Sequence, residues 1–95
     1  MDYKVVITGH AVRDLSELVS FIRRDNPAAA AKFGMRLIER AESLRSFPHR
    51  GRVSATPGYA GCRETVEAPY RIIYRVIEEK KLVEIVSFRH GAREN

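Results

Sequence analysis

Residues 63–88 read RETVEAPYRIIYRVIEEKKLVEIVSF, and this stretch decides the fold. β-Branched and aromatic residues dominate it, with breaks at Ala68-Pro69 and at the polar Glu79-Lys80-Lys81. The pattern predicts three strands, Arg63–Ala68, Tyr70–Glu78 and Leu82–Phe88, joined as an antiparallel meander. Proline is poorly tolerated inside a central strand, so Pro69 belongs to a turn. Alternation along the middle strand separates two faces. Tyr70, Ile72, Tyr74 and Val76 make one apolar and aromatic face, while Arg71, Ile73, Arg75 and Ile77 make a mixed one. The apolar face needs a cover and the mixed face looks outward.

The cover lies upstream. Val12, Leu15, Leu18, Val19 and Ile22 recur at helical spacing. Asn26-Pro27 is a helix start, an Asx cap followed by proline in the first turn. Ala30, Phe33, Leu37, Ala41 and Leu44 carry that second helix to about Ser46. Its early face is small, Ala28 to Ala31 and Gly34, which permits close approach of the first helix. Tyr3 to Thr8 reads as a short strand and Gly9 as a break after it. Val53 to Gly61 contains Pro57, Gly58 and Gly61 and reads as loop. The expected order is β-α-α-β-β-β, an α+β domain spanning residues 1–95 with a helix hairpin packed on an antiparallel sheet.

The 95 residues suffice for one domain and no more. With 44% hydrophobic and 31% charged residues, the chain is not collagenous, mucin-like or wholly disordered. No apolar run reaches the length of a membrane span, and the N-terminus lacks the order of a signal peptide. The lone Cys62 excludes an internal disulfide and a cysteine-based zinc site, so we expect a cytoplasmic protein and Cys62 as a small buried hydrophobe. His10, His49 and His90 have no metal-ligand spacing, no phosphate-binding glycine loop is present, and no cofactor is expected. Glu64 and Glu67 fall on opposite faces of a strand, which argues against a paired-carboxylate site.

Charge points to acidic partners. Lys and Arg total 17 against 12 Asp and Glu, a formal net charge of +5. The candidate binding residues are Arg50, Arg52, Arg63, Arg71, Arg75, Arg89 and Arg93, since guanidinium forks suit phosphate and carboxylate. Arg71 and Arg75 are four strand positions apart, about 13 Å, too far to hold one phosphate together. The bland alternative is that these arginines are solvated and cover Ile73 and Ile77 with their stems. His90, near Arg89 and Arg93, is the candidate for proton transfer, with a structural histidine as its alternative.

Several strings taken together resemble the RelE/ParE superfamily of bacterial type II toxins, and its ParE-like branch in particular. They are Ser43-Leu44-Arg45-Ser46-Phe47-Pro48-His49-Arg50-Gly51-Arg52, then Arg63, then Tyr70-Arg71-Ile72-Ile73-Tyr74-Arg75-Val76, and His90-Gly91-Ala92-Arg93. Upstream, Ala11, Asp14-Leu15, Phe21-Ile22, Asn26-Pro27 and Ala29-Ala30 fit the same pattern. The resemblance implies the helix hairpin on a sheet, a cognate antitoxin partner in a toxin–antitoxin hetero-oligomer, and a role in plasmid stabilisation or growth inhibition. ParE-like members are associated with inhibition of DNA gyrase. RelE-like members cut mRNA on the ribosome.

The ribonuclease alternative implies catalytic roles for Arg71, His90 and Arg63. Two departures weigh against it. Glu64, Thr65 and Glu67 stand where RelE-like enzymes tend to be lysine-rich, and no tyrosine follows Phe88. The YoeB-like pattern needs a loop acid, yet no Asp or Glu lies between Ser43 and Arg63. With both catalytic sets incomplete, the residues favour the ParE-like branch, and the resemblance to it implies a toxin that binds gyrase. An mRNA endoribonuclease and a non-toxic interaction module are the alternatives.

Overall fold

The computed structural model describes residues 2–91. β1 (Lys4–Ile7) leads into α1 (Gly9–Arg23) and α2 (Pro27–Glu42), and a single 3-10 turn, Ser43–Arg45, extends the second helix. The two-residue β2 (Arg52–Val53) precedes β3 (Arg63–Glu67), β4 (Tyr70–Ile77), a second 3-10 turn at Glu78–Lys80, and β5 (Leu82–His90).

Local chemistry fixes the helix ends. The Thr8 hydroxyl accepts from the Ala11 N–H at 3.2 Å, so Thr8 caps α1 and Gly9 is its first residue. The Asn26 side chain accepts from the Ala29 N–H at 3.0 Å, with Pro27 behind it, as the sequence predicts. The two helices pack closely where Gly34 meets Val19, since an added Cβ would lie 3.2 Å from the valine side chain. Leu37, Ala41 and Leu44 from α2 and its extension, and Ala11 from α1, bury against Tyr70, Ile72, Tyr74, Val83, Ile85 and Phe88 of the sheet. Apolar burial of this kind supplies most of the folding free energy, at about 25 cal/mol per Å².

The five strands run in the order β1-β5-β4-β3-β2. β3, β4 and β5 form the expected antiparallel meander. The sheet as a whole is mixed, not antiparallel, because β1 pairs parallel with β5, Lys4 opposite Leu82. The α hairpin between them acts as the crossover that parallel neighbours require. The segment read as loop also contributes β2, which pairs antiparallel with β3, Arg52 opposite Glu64. The register of β4 and β5 shifts between Ile73 and Tyr74, leaving Val86 as an extra residue.

Candidate functional site

The outer face of the sheet, opposite the helices, carries the arginines predicted from β4. Arg71 does not stand there as a solvated charge. Glu64 on β3 has a side chain only 1% exposed, and four side chains converge on it. Ser54 Oγ donates to Oε2 at 2.7 Å and Thr56 Oγ1 to Oε2 at 3.0 Å, while Arg52 Nη2 donates to Oε1 at 3.2 Å. Arg71 Nη1 donates to Glu64 Oε1 at 3.3 Å and to Thr56 Oγ1 at 3.0 Å. Burial pushes the Glu64 carboxyl up. The hydrogen bonds from Ser54, Thr56 and Arg52 and the charge of Arg71 outweigh it, and the group stays ionised below the usual carboxylate range.

Thr56 belongs to the 54–62 loop, which folds back over the outer face. Gly58 and Gly61 turn it with positive φ of 89° and 84°. Ile73, on the mixed face, is fully buried, and Cys62 at the end of the loop is buried as expected. Tyr59 from the same loop meets Arg89. The Arg89 guanidinium lies 5.4 Å from the Tyr59 ring centre, and its Nη1 donates to the phenol oxygen at 3.3 Å. Arg71 and Arg89 are directly opposite each other on β4 and β5. Cross-strand neighbours hold their Cβ atoms about 5 Å apart, so this pair has the spacing to grip one anion that Arg71 and Arg75 lack. Arg75 is exposed and donates to Glu84 Oε1 at 2.7 Å.

The other candidates lie elsewhere. His90 is paired with Tyr70 across β4 and β5, and their rings meet edge to face at 4.9 Å. Tyr70 in turn packs edge-on against Phe33 of α2 at 5.1 Å, so His90 is on the helix side of the sheet. Arg71 is on the opposite side. The structure does not bring these two candidate catalytic groups together. Arg63 also faces the helix side, and its Nη1 donates to the Gly51 carbonyl at 2.7 Å. The Gly51 N–H donates to the Tyr74 phenol oxygen at 2.9 Å, and burial pushes that phenol up. Arg50 is exposed, donates to Ser43 Oγ at 3.0 Å and lies 5.8 Å from the Phe47 ring centre. Arg93 lies outside the described residues.

Glu64 and Tyr59 are the site residues that reading the sequence missed. The signal for Glu64 was present. A tight turn at Ala68-Pro69 makes Glu67 face Tyr70 and Glu64 face Ile73, one diagonal from Arg71. Glu67, on the helix side, takes Arg36 Nη2 at 2.8 Å and Arg40 Nε at 3.2 Å. The two glutamates therefore do occupy opposite faces. Among the described residues no group of three His, Cys, Asp or Glu side chains is placed to hold a metal ion, and no helix is long and apolar enough to cross a membrane.

Comparison with known proteins agrees with this architecture. Residues 5–95 match the family described as ParE toxin of type II toxin-antitoxin system, parDE. Toxin RelE2 of Caulobacter vibrioides is 40% identical over 91 residues, covering 95% of this chain and 97% of that protein. The RelBE2 toxin–antitoxin complex of Mycobacterium tuberculosis contains a chain of the same fold, with TM-score 0.70 and 28% identity, covering 95% of this chain and 99% of that one. A chain of the chromosomal ParDE system of P. aeruginosa shares the fold with TM-score 0.79 at 24% identity, covering 93% and 95%. The helix hairpin, the mixed sheet and this match make the chain a member of the ParE toxin family, within the RelE/ParE superfamily of type II toxins.

Proposed function

We propose that the chain is a ParE-like toxin that stalls DNA gyrase by binding, performs no bond chemistry of its own, and is neutralised by a cognate antitoxin in the cytoplasm. The observation that carries this reading is the separation of Arg71 and His90 by the thickness of the sheet. A general base must be within hydrogen-bond reach of the proton it moves, directly or through one water. Glu64 is close to Arg71 but is held ionised at low pH, which makes it a weak base. What remains is a stiff basic surface, Arg52, Arg71, Arg75 and Arg89, braced by Glu64, Glu84 and Tyr59. Such a surface suits docking on an acidic partner, and an acidic antitoxin segment could compete for it.

A second reading has one observation in its favour. The Arg71–Arg89 pair is spaced for a single phosphate, and a ribosome-dependent ribonuclease would use it to stabilise the pentavalent phosphorus. Controlled expression of the chain alone in a bacterial host separates the two. The gyrase reading expects a DNA-damage response and altered plasmid supercoiling with intact transcripts. Codon-phased cuts in ribosome-bound mRNA would overturn it. Growth unaffected by expression would favour a non-toxic module. For the antitoxin, the Arg71→Glu/Arg75→Glu variant should bind more weakly, and unaltered affinity would remove the outer face from that contact.

A further inference from the structure

The outward stripe of α2 is self-complementary, and we propose that it pairs two copies of this chain about a two-fold axis. Ala31, Met35, Ile38 and Glu42 follow one another at steps of four, three and four, so they share one face of the helix. That face is distinct from the one that builds the core, which carries Ala30, Gly34, Leu37 and Ala41. Met35 is 60% exposed and Ile38 37%, two neighbouring apolar side chains that the single chain leaves in water. Lys32 and Glu39 flank the stripe on one side, about two turns apart. Both are exposed, and among the described residues neither side chain has an ion pair or hydrogen bond. The arginines nearest Glu39 are turned elsewhere, since Arg36 and Arg40 both donate to Glu67 of β3.

Two α2 helices laid antiparallel, with the axis between Met35 and Ile38, satisfy this pattern. Met35 of each copy then faces Ile38 of the other, and Ala31 faces Glu42. Steps of four and three keep one seam turned toward a partner helix, as in a coiled coil. In this register Lys32 of each copy lies beside Glu39 of the other, so the same ion pair forms twice. Every residue of the seam lies within α2, Pro27–Glu42. Arg36 and Arg40, held by Glu67, stay clear of it, and no like charges oppose one another there. A two-fold contact requires a patch that fits itself, and an apolar pair flanked by opposite charges on the two sides of the axis meets that requirement. A net charge of +5 drives two copies apart elsewhere on the surface, which favours the stripe where the signs alternate. About three helical turns make a small interface, so the dissociation constant should be on the order of 100 μM. The proposal does not depend on whether gyrase or mRNA is the target.

Sedimentation velocity of the purified chain, from about 10 μM to about 1 mM, tests it. The mass should climb from 10.8 kDa toward twice that value. Lys32→Glu and Glu39→Lys each set like charges beside one another twice and should raise the dissociation constant about tenfold. The two reversals move the net charge in opposite directions, so repulsion between whole molecules would strengthen association in Lys32→Glu and weaken it in Glu39→Lys. The seam requires both to weaken it. The combined Lys32→Glu/Glu39→Lys exchange should restore association to within about threefold of the original. Met35→Ser should abolish it. All three positions are exposed, and a circular dichroism melt of each variant checks that it folds. A chain that stays monomeric at the highest concentration leaves the stripe to some other partner and overturns the proposal. A Lys32→Glu variant that dimerises as well as the parent or better, or an exchange no better than the singles, overturns it too.

Discussion

Replacing Glu64 by glutamine removes one charge from the middle of β3 with almost no change of shape. The side chain is 1% exposed and Arg71, its neighbour on β4, is 16% exposed, so both charges are largely out of water. Breaking such a pair from one side costs about 3–5 kcal/mol, because the surviving charge stays buried. Arg52 is 71% exposed and adds little to this figure. A chain of this length has a total stability of about 5–14 kcal/mol, so a loss of about 3 kcal/mol is a large fraction. In urea the midpoint should fall by about 1–3 M with the slope unchanged. The double variant Glu64→Gln/Arg71→Met should regain most of that loss, since removing both charges leaves no orphan. The reasoning fails if Glu64→Gln costs less than about 1 kcal/mol, or if the two substitutions prove simply additive.

Four further outcomes follow from the same contacts. Glu64 and Glu67 are both held below the ordinary carboxylate range: for Glu67 the Arg36 hydrogen bond leads, and for Glu64 hydrogen bonds and Arg71 overcome burial. Their stabilisation is therefore complete above the unfolded value, about 4.3, and is lost as pH falls through the folded values. Denaturation at stepped pH should show flat stability near neutrality and a decline in acid that is shallower in Glu64→Gln. Gly51→Ala puts a Cβ 2.6 Å from the Glu64 carbonyl oxygen and the Tyr74 phenol oxygen, and should cost about 1–3 kcal/mol in a thermal melt. Tyr74→Phe strands the Gly51 N–H and should cost about 1–3 kcal/mol, whereas Arg75→Ala, at an exposed pair, should stay within about 0.5 kcal/mol by the same melt.

The parts of the fold legible in the sequence are those governed by short-range rules. The Asn26-Pro27 start, the helical spacing from Ala30 to Leu44 and the alternation of Tyr70 to Ile77 each depend on neighbours a few residues away, and each appears as expected. The parallel partnership of β1 with β5 depends on residues from opposite ends of the chain, and no local pattern encodes it. The buried outer side of β4 was hidden for a related reason. Ile73 is fully buried on the face over which the 54–62 loop folds back, and a loop rich in glycine does not announce where it will lie. For the site, residue type was informative and direction was not. Arg71 and His90 are the right kinds of residue for catalysis, but one step of strand register puts them on opposite sides. Arg89 looked like one basic residue among seven until the β4–β5 register set it opposite Arg71.

The placement of β1 beside β5 also sets a clock. The Thr8 hydroxyl bonds to the Ile85 carbonyl across 77 positions of sequence, a long-range closure that slows folding. Synthesis delivers the N-terminus first, so β1 emerges early and waits without a neighbour until β5 has been made. Much else waits with it. Arg71 has no Arg89 opposite it, and Asp14 has neither the Ser87 hydroxyl nor the Phe88 N–H that its carboxylate receives in the finished chain. The working surface is therefore absent from every incomplete chain and arrives only with the last strand.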